Sequence, residues 1–225
     1  MLERWYFMNQ AADEYKNSLY SELSKIGKGL SSDKRLEILD LLSQGPKTVE
    51  SLARQSGMSI ANTSRHLKTL RDANLVINIK KGNYVVYQLA SPQVEQLFYL
   101  LRDVGESQLL AMKQIQQNFD ITEQVKTLDL STAIKLLSRD DVQLLDVRPE
   151  DEFQAGHIKG AINIPMDQLS EQVEKIDPKK DVIVYCRGHL CALTNQATRL
   201  LNEQGRHAYS LNESYYDWRE FVAQQ

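Results

Sequence analysis

Apolar positions along the first 120 residues recur mostly at helical spacing. Leu19, Leu23 and Ile26 mark one helix, and Gly27 and Gly29 loosen its far end. Leu36, Ile38, Leu39, Leu41 and Leu42 mark a second, which stops at Gly45-Pro46. Thr48 is placed to cap a short helix reaching about Gln55. Gly57 breaks it, and Ser59 begins another that runs to about Asp72. A short helix, a glycine turn and a second helix form the helix-turn-helix outline. Two β-branched runs follow, Leu75–Ile79 and Tyr84–Leu89. Lys80-Lys81-Gly82-Asn83 joins them as a hairpin turn, which makes the whole a winged helix. Ser91-Pro92 then opens a helix expected to reach about Phe119, with Val94, Leu97, Phe98, Leu101 and Val104 on one face. Amphipathic outer helices of this kind need a partner surface, which a twofold dimer supplies.

The pattern changes beyond a polar stretch at 118–127. A helix (Leu130–Leu137) precedes a strand (Gln143–Val147), and a turn-rich segment precedes Ala161–Ile164. A helix (Met166–Ile176) precedes a strand (Val182–Tyr185), and a helix (Cys191–Gln204) precedes Ala208–Leu211. Alternation of strands and helices implies a parallel sheet covered on both faces. The expected architecture is therefore a winged helix-turn-helix domain, mainly α with a β-hairpin wing, at 10–119. An α/β domain follows at 126–225.

Composition places the 225 residues among globular chains: 42% apolar, 25% charged, net charge −3. No run approaches the roughly 20 apolar residues of a membrane span. No charged segment followed by a long apolar core opens the chain, so a cytoplasmic location is expected. The mean charge hides an asymmetry. Residues 20–98 carry eleven Lys and Arg against seven Asp and Glu, whereas 126–225 carry twelve against sixteen. The basic half is the candidate for nucleic acid, with a solvated basic face as the plainer alternative. On a helical wheel for 60–72, Ile60, Thr63, Leu67 and Leu70 point inward. Ala61, Asn62, Arg65, Lys68 and Thr69 point outward, with Ser64 and His66 on the flanks. Amide, guanidinium, ammonium and hydroxyl groups suit base edges and phosphates, and Lys80 and Lys81 at the wing tip suit phosphate.

Both cysteines of the chain fall in Val182-Ile-Val-Tyr-Cys186-Arg-Gly-His-Leu-Cys191-Ala. Cys186 ends an apolar strand facing the start of the next helix. The partial positive charge and free N–H groups of a helix N-terminus favour thiolate over thiol. With two cysteines in a reducing compartment, reactive chemistry is a better expectation than a structural disulfide.

Two resemblances add to this reading. Lys34-Arg-Leu-Glu-Ile-Leu-Asp-Leu-Leu, Val49-Glu-Ser-Leu-Ala and Thr63-Ser-Arg-His-Leu-Lys-Thr-Leu-Arg-Asp-Ala-Asn-Leu-Val resemble ArsR-type winged-helix repressors over about residues 18–100. The resemblance implies a homodimer on a palindromic double-stranded operator, with Thr63, Ser64, Arg65 and His66 on the recognition helix. Metal-sensing members often carry Cys-x-Cys in the first helix of the motif, where this chain has Val49-Glu-Ser-Leu-Ala-Arg. Others carry paired histidines on the last helix, and residues 92–119 have none, so no metal and no other cofactor is expected here.

Asp146-Val-Arg-Pro-Glu-Asp-Glu-Phe, Gly156-His-Ile-Lys-Gly-Ala-Ile-Asn-Ile-Pro165 and Tyr185-Cys-Arg-Gly resemble the rhodanese domain over about 126–222. That resemblance implies that Cys186 carries sulfur as a persulfide in a cradle of loop N–H groups. Such chemistry needs an exposed thiolate and a nest for anionic sulfur. Arg187 and His189 would add positive charge for an anionic donor or product. Asp146 and Arg148 are expected to brace the loop after the first strand, through Glu152 or the backbone, and His157 to pack. Related phosphatases have an arginine six residues after the cysteine. Here that residue is Ala192, which argues against phosphatase or arsenate-reductase chemistry. The usual Gly-Gly before the C-terminal tryptophan reads Glu213-Ser214 before Trp218. Cys191 stands where a basic or hydroxyl residue is common. It reads either as a small residue filling the first helical turn or as a thiol that resolves a Cys186 persulfide.

The leading expectation is a dimeric repressor that carries or senses sulfane sulfur from thiosulfate, polysulfide or a persulfide. Two alternatives stay open. One is a working sulfurtransferase tethered near DNA, and the other is a regulator responsive to arsenic or another thiophile.

Overall fold

A computed structural model describes residues 2–82 and 84–224, and divides the chain into two compact units, Met1–Arg102 and Asp103–Gln225. In the first unit α1 (Leu2–Leu30) and α2 (Asp33–Ser43) precede a two-residue strand β1 (Lys47–Thr48). Next come α3 (Val49–Gln55), α4 (Ile60–Asp72), β2 (Val76–Lys81) and β3 (Tyr84–Leu89), and α5 (Pro92–Gln108) runs across the boundary. Thr48 and Ser59 cap α3 and α4, accepting the N–H groups of Ser51 and Asn62. Gly57 supplies the turn between these helices with φ of +65°. The core is aliphatic: Ile38, Leu39, Leu52, Leu67, Leu70 and Leu75 are all buried. β2 and β3 form the expected antiparallel hairpin, and β1, not expected from the sequence, adds a third strand against β3. Of the expected turn, Asn83 lies outside the described residues.

The second unit opens with a difference from the sequence reading. The single helix expected from Pro92 to about Phe119 is two helices, α5 and α6 (Leu110–Glu123), broken at Leu109, whose backbone is extended. The polar stretch expected to join the halves is largely α6. Asn195 holds that helix in place by donating to Asp120 at 2.7 Å. After α7 (Leu130–Leu137) come β4 (Val142–Asp146), α8 (Glu150–Ala155), β5 (Ile162–Asn163) and β6 (Asp181–Tyr185). They are followed by α9 (Leu193–Glu203), β7 (Ala208–Leu211) and α10 (Tyr215–Ala223). The sheet is parallel, in the order β5-β4-β6-β7. The helix expected at 166–176 is two isolated 3-10 turns, Met166–Gln168 and Val173–Lys175. Leu169 and Ile176 reach the core from it all the same. Apolar anchors seven residues apart fit either conformation, and Pro165 leads into the first turn.

Strand alternation divides the core of this unit in two. Val182, Val184 and Cys186 face one layer together with Leu145, Ala197 and Leu201. Ile183 and Tyr185 face the other with Leu128, Ala133, Leu144 and Leu211. Among the described residues no helix is long and apolar enough to cross a membrane.

Truncating a fully buried side chain removes its transfer free energy and leaves a cavity. Leu70→Ala is therefore expected to destabilise the winged helix by about 2–5 kcal/mol. Native-state hydrogen exchange read at the amides of α2 and α4 measures it, and a loss under 1 kcal/mol (about a methylene's worth) contradicts this packing.

Candidate functional site

The first unit presents the polar face expected of α4. Ser64, Arg65 and Lys68 are exposed, and Asn62 and His66 are partly so. Arg65 donates to Asn62 Oδ1 at 2.9 Å, so amide and guanidinium are held together on one turn. Burial, with Arg35 and Arg65 nearby, lowers the pKa of His66, which therefore stands as neutral imidazole at pH 7. Lys80 and Lys81 lie exposed at the end of β2. Thr63 departs from this group. It is fully buried and donates its hydroxyl to Ser59 O at 3.0 Å, so its side chain belongs to the core. The reason is the helical period that also buries Leu67 and Leu70. Ile60, expected inward, is 52% exposed in the first turn of α4.

The second unit gathers its chemistry after β6. Because Val182 and Val184 point into the core on the α9 side, the next residue of the same parity, Cys186, does too, and it is 0% exposed. The exposed thiolate expected at Cys186 is thus a buried thiol. The hydrogen bond to Cys191 and burial push its pKa well above the ordinary value. Cys191 is only half-buried, and its Sγ stands 2.9 Å from Cys186 Sγ. Its pKa is lowered to about 6. The Cys186 thiol donates to it, Leu193 N–H and Arg187 N–H point at it, and the Arg187 guanidinium lies near. Both cysteines are free. The loop therefore directs N–H groups at the Cys191 sulfur.

Charged neighbours fix the loop. Arg187 forms a two-pronged pair with Glu152, at 2.9 Å from Nε and 2.6 Å from Nη2, with Glu152 entirely buried. Burial works against the guanidinium charge, but Glu152's hydrogen bonds and charge outweigh it and raise the pKa. Arg187 thus spends its charge on the protein instead of on a donor. Arg148 pairs with Asp146 at 2.6 Å and donates to Gly156 O at 2.8 Å, both side chains buried. The expected brace is present, with Glu152 serving Arg187. His157 stacks on Phe153, as a packing residue would. Gly188 takes a φ of +95°, and a Cβ there would meet Ser214 N at 3.1 Å, so the loop needs glycine. His189 sits between two carboxylates, with Nδ1 3.1 Å from Glu106 and Nε2 3.4 Å from Glu213. Hydrogen bonds to Glu106 and Glu213 raise its pKa to about 10, so it is an imidazolium at neutral pH.

A cavity of about 340 Å³ adjoins the loop. Ile115 and Phe119 of α6, Asp120, His189, Leu190 and Cys191 are among its lining residues, and Cys186 is not. Glu106, Asp120 and the α6 wall were not legible as site residues. They sit on what reads as one long amphipathic helix, and neither Gly nor Pro marks the break at Leu109. Glu213 did carry a signal, because it replaces the usual glycine pair. Among the described residues no group of three or more His, Cys, Asp and Glu is placed to hold a metal ion.

Comparison with known proteins finds two family models. "Bacterial regulatory protein, arsR family" matches residues 32–78, and "Rhodanese-like domain" matches residues 129–221. The HTH-type transcriptional regulator Rv0324 of Mycobacterium tuberculosis is 34% identical over 91% of this chain and 90% of its own length. The thiosulfate sulfurtransferase GlpE of Coxiella burnetii is 32% identical over 39% of this chain and 80% of its own. The arsenical resistance operon repressor of Staphylococcus xylosus is 47% identical over 31% of this chain and 67% of its own.

Thiolate is the form that alkylates. The rate of Cys191 modification by iodoacetamide should rise with pH through a midpoint near 6 and level off above it. Cys186→Ala removes the thiol that donates to Cys191, so the midpoint should move up toward that of a free thiol. A midpoint unchanged in that variant contradicts the assigned donor. Asp146→Ala, which leaves the Arg148 guanidinium buried without its carboxylate, should cost about 3–5 kcal/mol of stability, measured by urea denaturation.

Proposed function

The chain belongs to the ArsR-type bacterial transcriptional regulators, here with a C-terminal rhodanese-like domain, and from that premise we propose a repressor whose rhodanese-like domain senses sulfane sulfur. The observation that carries the reading is the pair Cys186–Cys191. The chain's two cysteine sulfurs stand 2.9 Å apart, one a buried thiol and the other favoured as thiolate. A thiol and a thiolate at this distance form a two-electron unit. A sulfane sulfur arriving on one is displaced by the other, leaving a disulfide. Oxidation would replace an anionic sulfur and its N–H donors with a neutral bridge, and so alter the Arg187–Gly188–His189 loop.

The DNA-binding part of the reading rests on α4 and the wing. Asn62, Ser64, Arg65, His66 and Lys68 offer polar groups on an accessible helix, and Lys80 and Lys81 offer charge for phosphate. Of the residues expected to read DNA, buried Thr63 is assigned to holding α4 in place. Repression is consistent with the likeness to the Staphylococcus xylosus repressor. A homodimer on a palindromic operator is consistent with α1, which leaves Tyr15, Leu19, Tyr20 and Leu23 between 52% and 69% exposed. An apolar stripe of this size is most economically covered by the same helix of a second copy.

A second reading is catalytic sulfur transfer from thiosulfate or a persulfide, favoured by the likeness to GlpE over the second unit. Retention of Arg187 by Glu152 works against it, since the guanidinium is then not offered to an anionic donor.

Operator affinity of the full chain should change on polysulfide treatment and recover on reduction, and Cys186→Ser should abolish the response. Equal affinity before and after treatment in the wild type would sink the sensing reading. Steady thiosulfate turnover with unaltered DNA binding would select the catalytic one. Lys80→Ala with Lys81→Ala should weaken all sequences alike and lower the salt slope of binding by about 1–2. Arg65→Ala should instead cost about 1–3 kcal/mol on operator DNA and relax its specificity.

A further inference from the structure

Resting on the sensing reading above, we propose that the Glu106–His189 ion pair is the latch by which the sulfur loop acts on α5, and that joining Cys186 to Cys191 opens it. Glu106, His189 and Glu213 all belong to the second unit. His189 Nδ1 donates to Glu106 Oε2 at 3.1 Å, and its Nε2 stands 3.4 Å from Glu213 Oε1. Gln116 of α6 donates to the other Glu106 oxygen at 3.2 Å and so fixes the carboxylate. The end of α5 lies tightly against α6, since a Cβ at Gly105 would stand 3.0 Å from Met112 Sδ. With a carboxylate at each ring nitrogen, His189 is held as an imidazolium, its pKa raised to about 10. A charge-assisted bond of this kind is stronger than a neutral one.

α5 is one unbroken helix from Pro92 to Gln108, through the boundary at Arg102. Tyr99 and Glu106 are seven residues apart, about two turns, and so share a face of it. Tyr99 is 2% exposed, and its hydroxyl ties α5 to the end of α2. It stands 3.1 Å from Ser43 Oγ and accepts from Gln44 Nε2 at 3.3 Å. α2 in turn packs on α4. A displacement at Glu106 therefore passes along a single helix to the α2 end that Tyr99 grips.

The trigger is closure of the loop. Once one cysteine carries a sulfane sulfur taken from polysulfide, the other attacks it at the cysteine sulfur. The S–S bond of the persulfide breaks, and its outer sulfur leaves with both protons as hydrogen sulfide. The two thiols are oxidised to a disulfide, and the sulfane sulfur is reduced to sulfide. A disulfide sets its sulfurs about 2 Å apart, closer than the present 2.9 Å, so the loop between them must tighten. Its first half is pinned. Glu152 holds Arg187, and Gly188 lies against Ser214. Cys191 N–H donates to Gly188 O at 2.9 Å. Movement therefore falls on His189 and on Leu190, which is 49% exposed, and His189 is the residue tied to α5.

The test uses the full chain, sodium tetrasulfide as the sulfur source, and intact-mass spectrometry to match samples at equal oxidation of the cysteine pair. Wild-type operator affinity should change by about fivefold or more on oxidation. In Glu106→Gln, at the same degree of oxidation, that change should shrink to under about twofold. Adding His189→Gln to Glu106→Gln should reduce the response no further, because both substitutions remove one bond. A second readout needs no variant. NMR of the His189 ring in the wild type should give a midpoint near 10 when the cysteines are reduced, and a lower one after oxidation. A pair with a structural role alone keeps its midpoint. A full response in Glu106→Gln, or a midpoint unmoved by oxidation, overturns the latch and leaves the sensing reading standing. If wild-type operator affinity ignores oxidation, the sensing reading fails and the latch fails with it.

Discussion

The constraint on which the second unit depends is the burial of β6 on both faces. A strand in the middle of a parallel sheet alternates its side chains between two layers, and neither layer is open to water. Val182 and Val184 serve one layer and Ile183 and Tyr185 the other, so the residue after the strand has no free choice of side. Cys186 continues the first set and is drawn into the core with it. Its burial follows from strand parity.

Electrostatics then decides what the loop beyond β6 offers. An arginine and a histidine next to a cysteine suggest cations waiting for an anion. Folding gives each of them a carboxylate first. Glu152 takes Arg187, and Glu106 and Glu213 take His189. The cost of burying the Arg187 and Glu152 charges is met by their pairing within the protein. The loop's remaining capacity for negative charge is directed at a single atom, Cys191 Sγ. A sequence that offers two thiols and two cations thereby yields two adjacent sulfurs and a pair of cations held by carboxylates.

The likeness to the arsR family and to rhodanese-like domains covers most of the chain, yet the features that separate this chain from those families lie at a few positions. Soft ligands are missing from 49–54 and histidines from 92–119, which leaves sulfur chemistry confined to the second unit. Cys191 stands where a basic or hydroxyl residue is common, and Ala192 stands where related phosphatases have an arginine. The chain joins a winged helix of the arsR family to a rhodanese-like domain that holds both of its cysteines.

Much of the fold was legible in the amino-acid order, because it depends on local rules. Thr48 and Ser59 announce two helix starts, and Gly57 announces the turn between them. β-Branched and apolar runs announce the wing and the four parallel strands, and Leu130–Leu137 was readable end to end. Other features were decided only by tertiary structure. The break at Leu109 has no local marker, and α6 is held instead by Asp120 and its neighbours against α9. Ile60 lies on the inward side of the helical wheel but is exposed in the folded first turn of α4. The sequence by itself determined which residues could react: two cysteines after an apolar strand. Which of them is charged and which is reachable was settled by the fold, since a thiol's ionisation depends on desolvation and on donors brought from several elements, and neither is a property of neighbours in sequence.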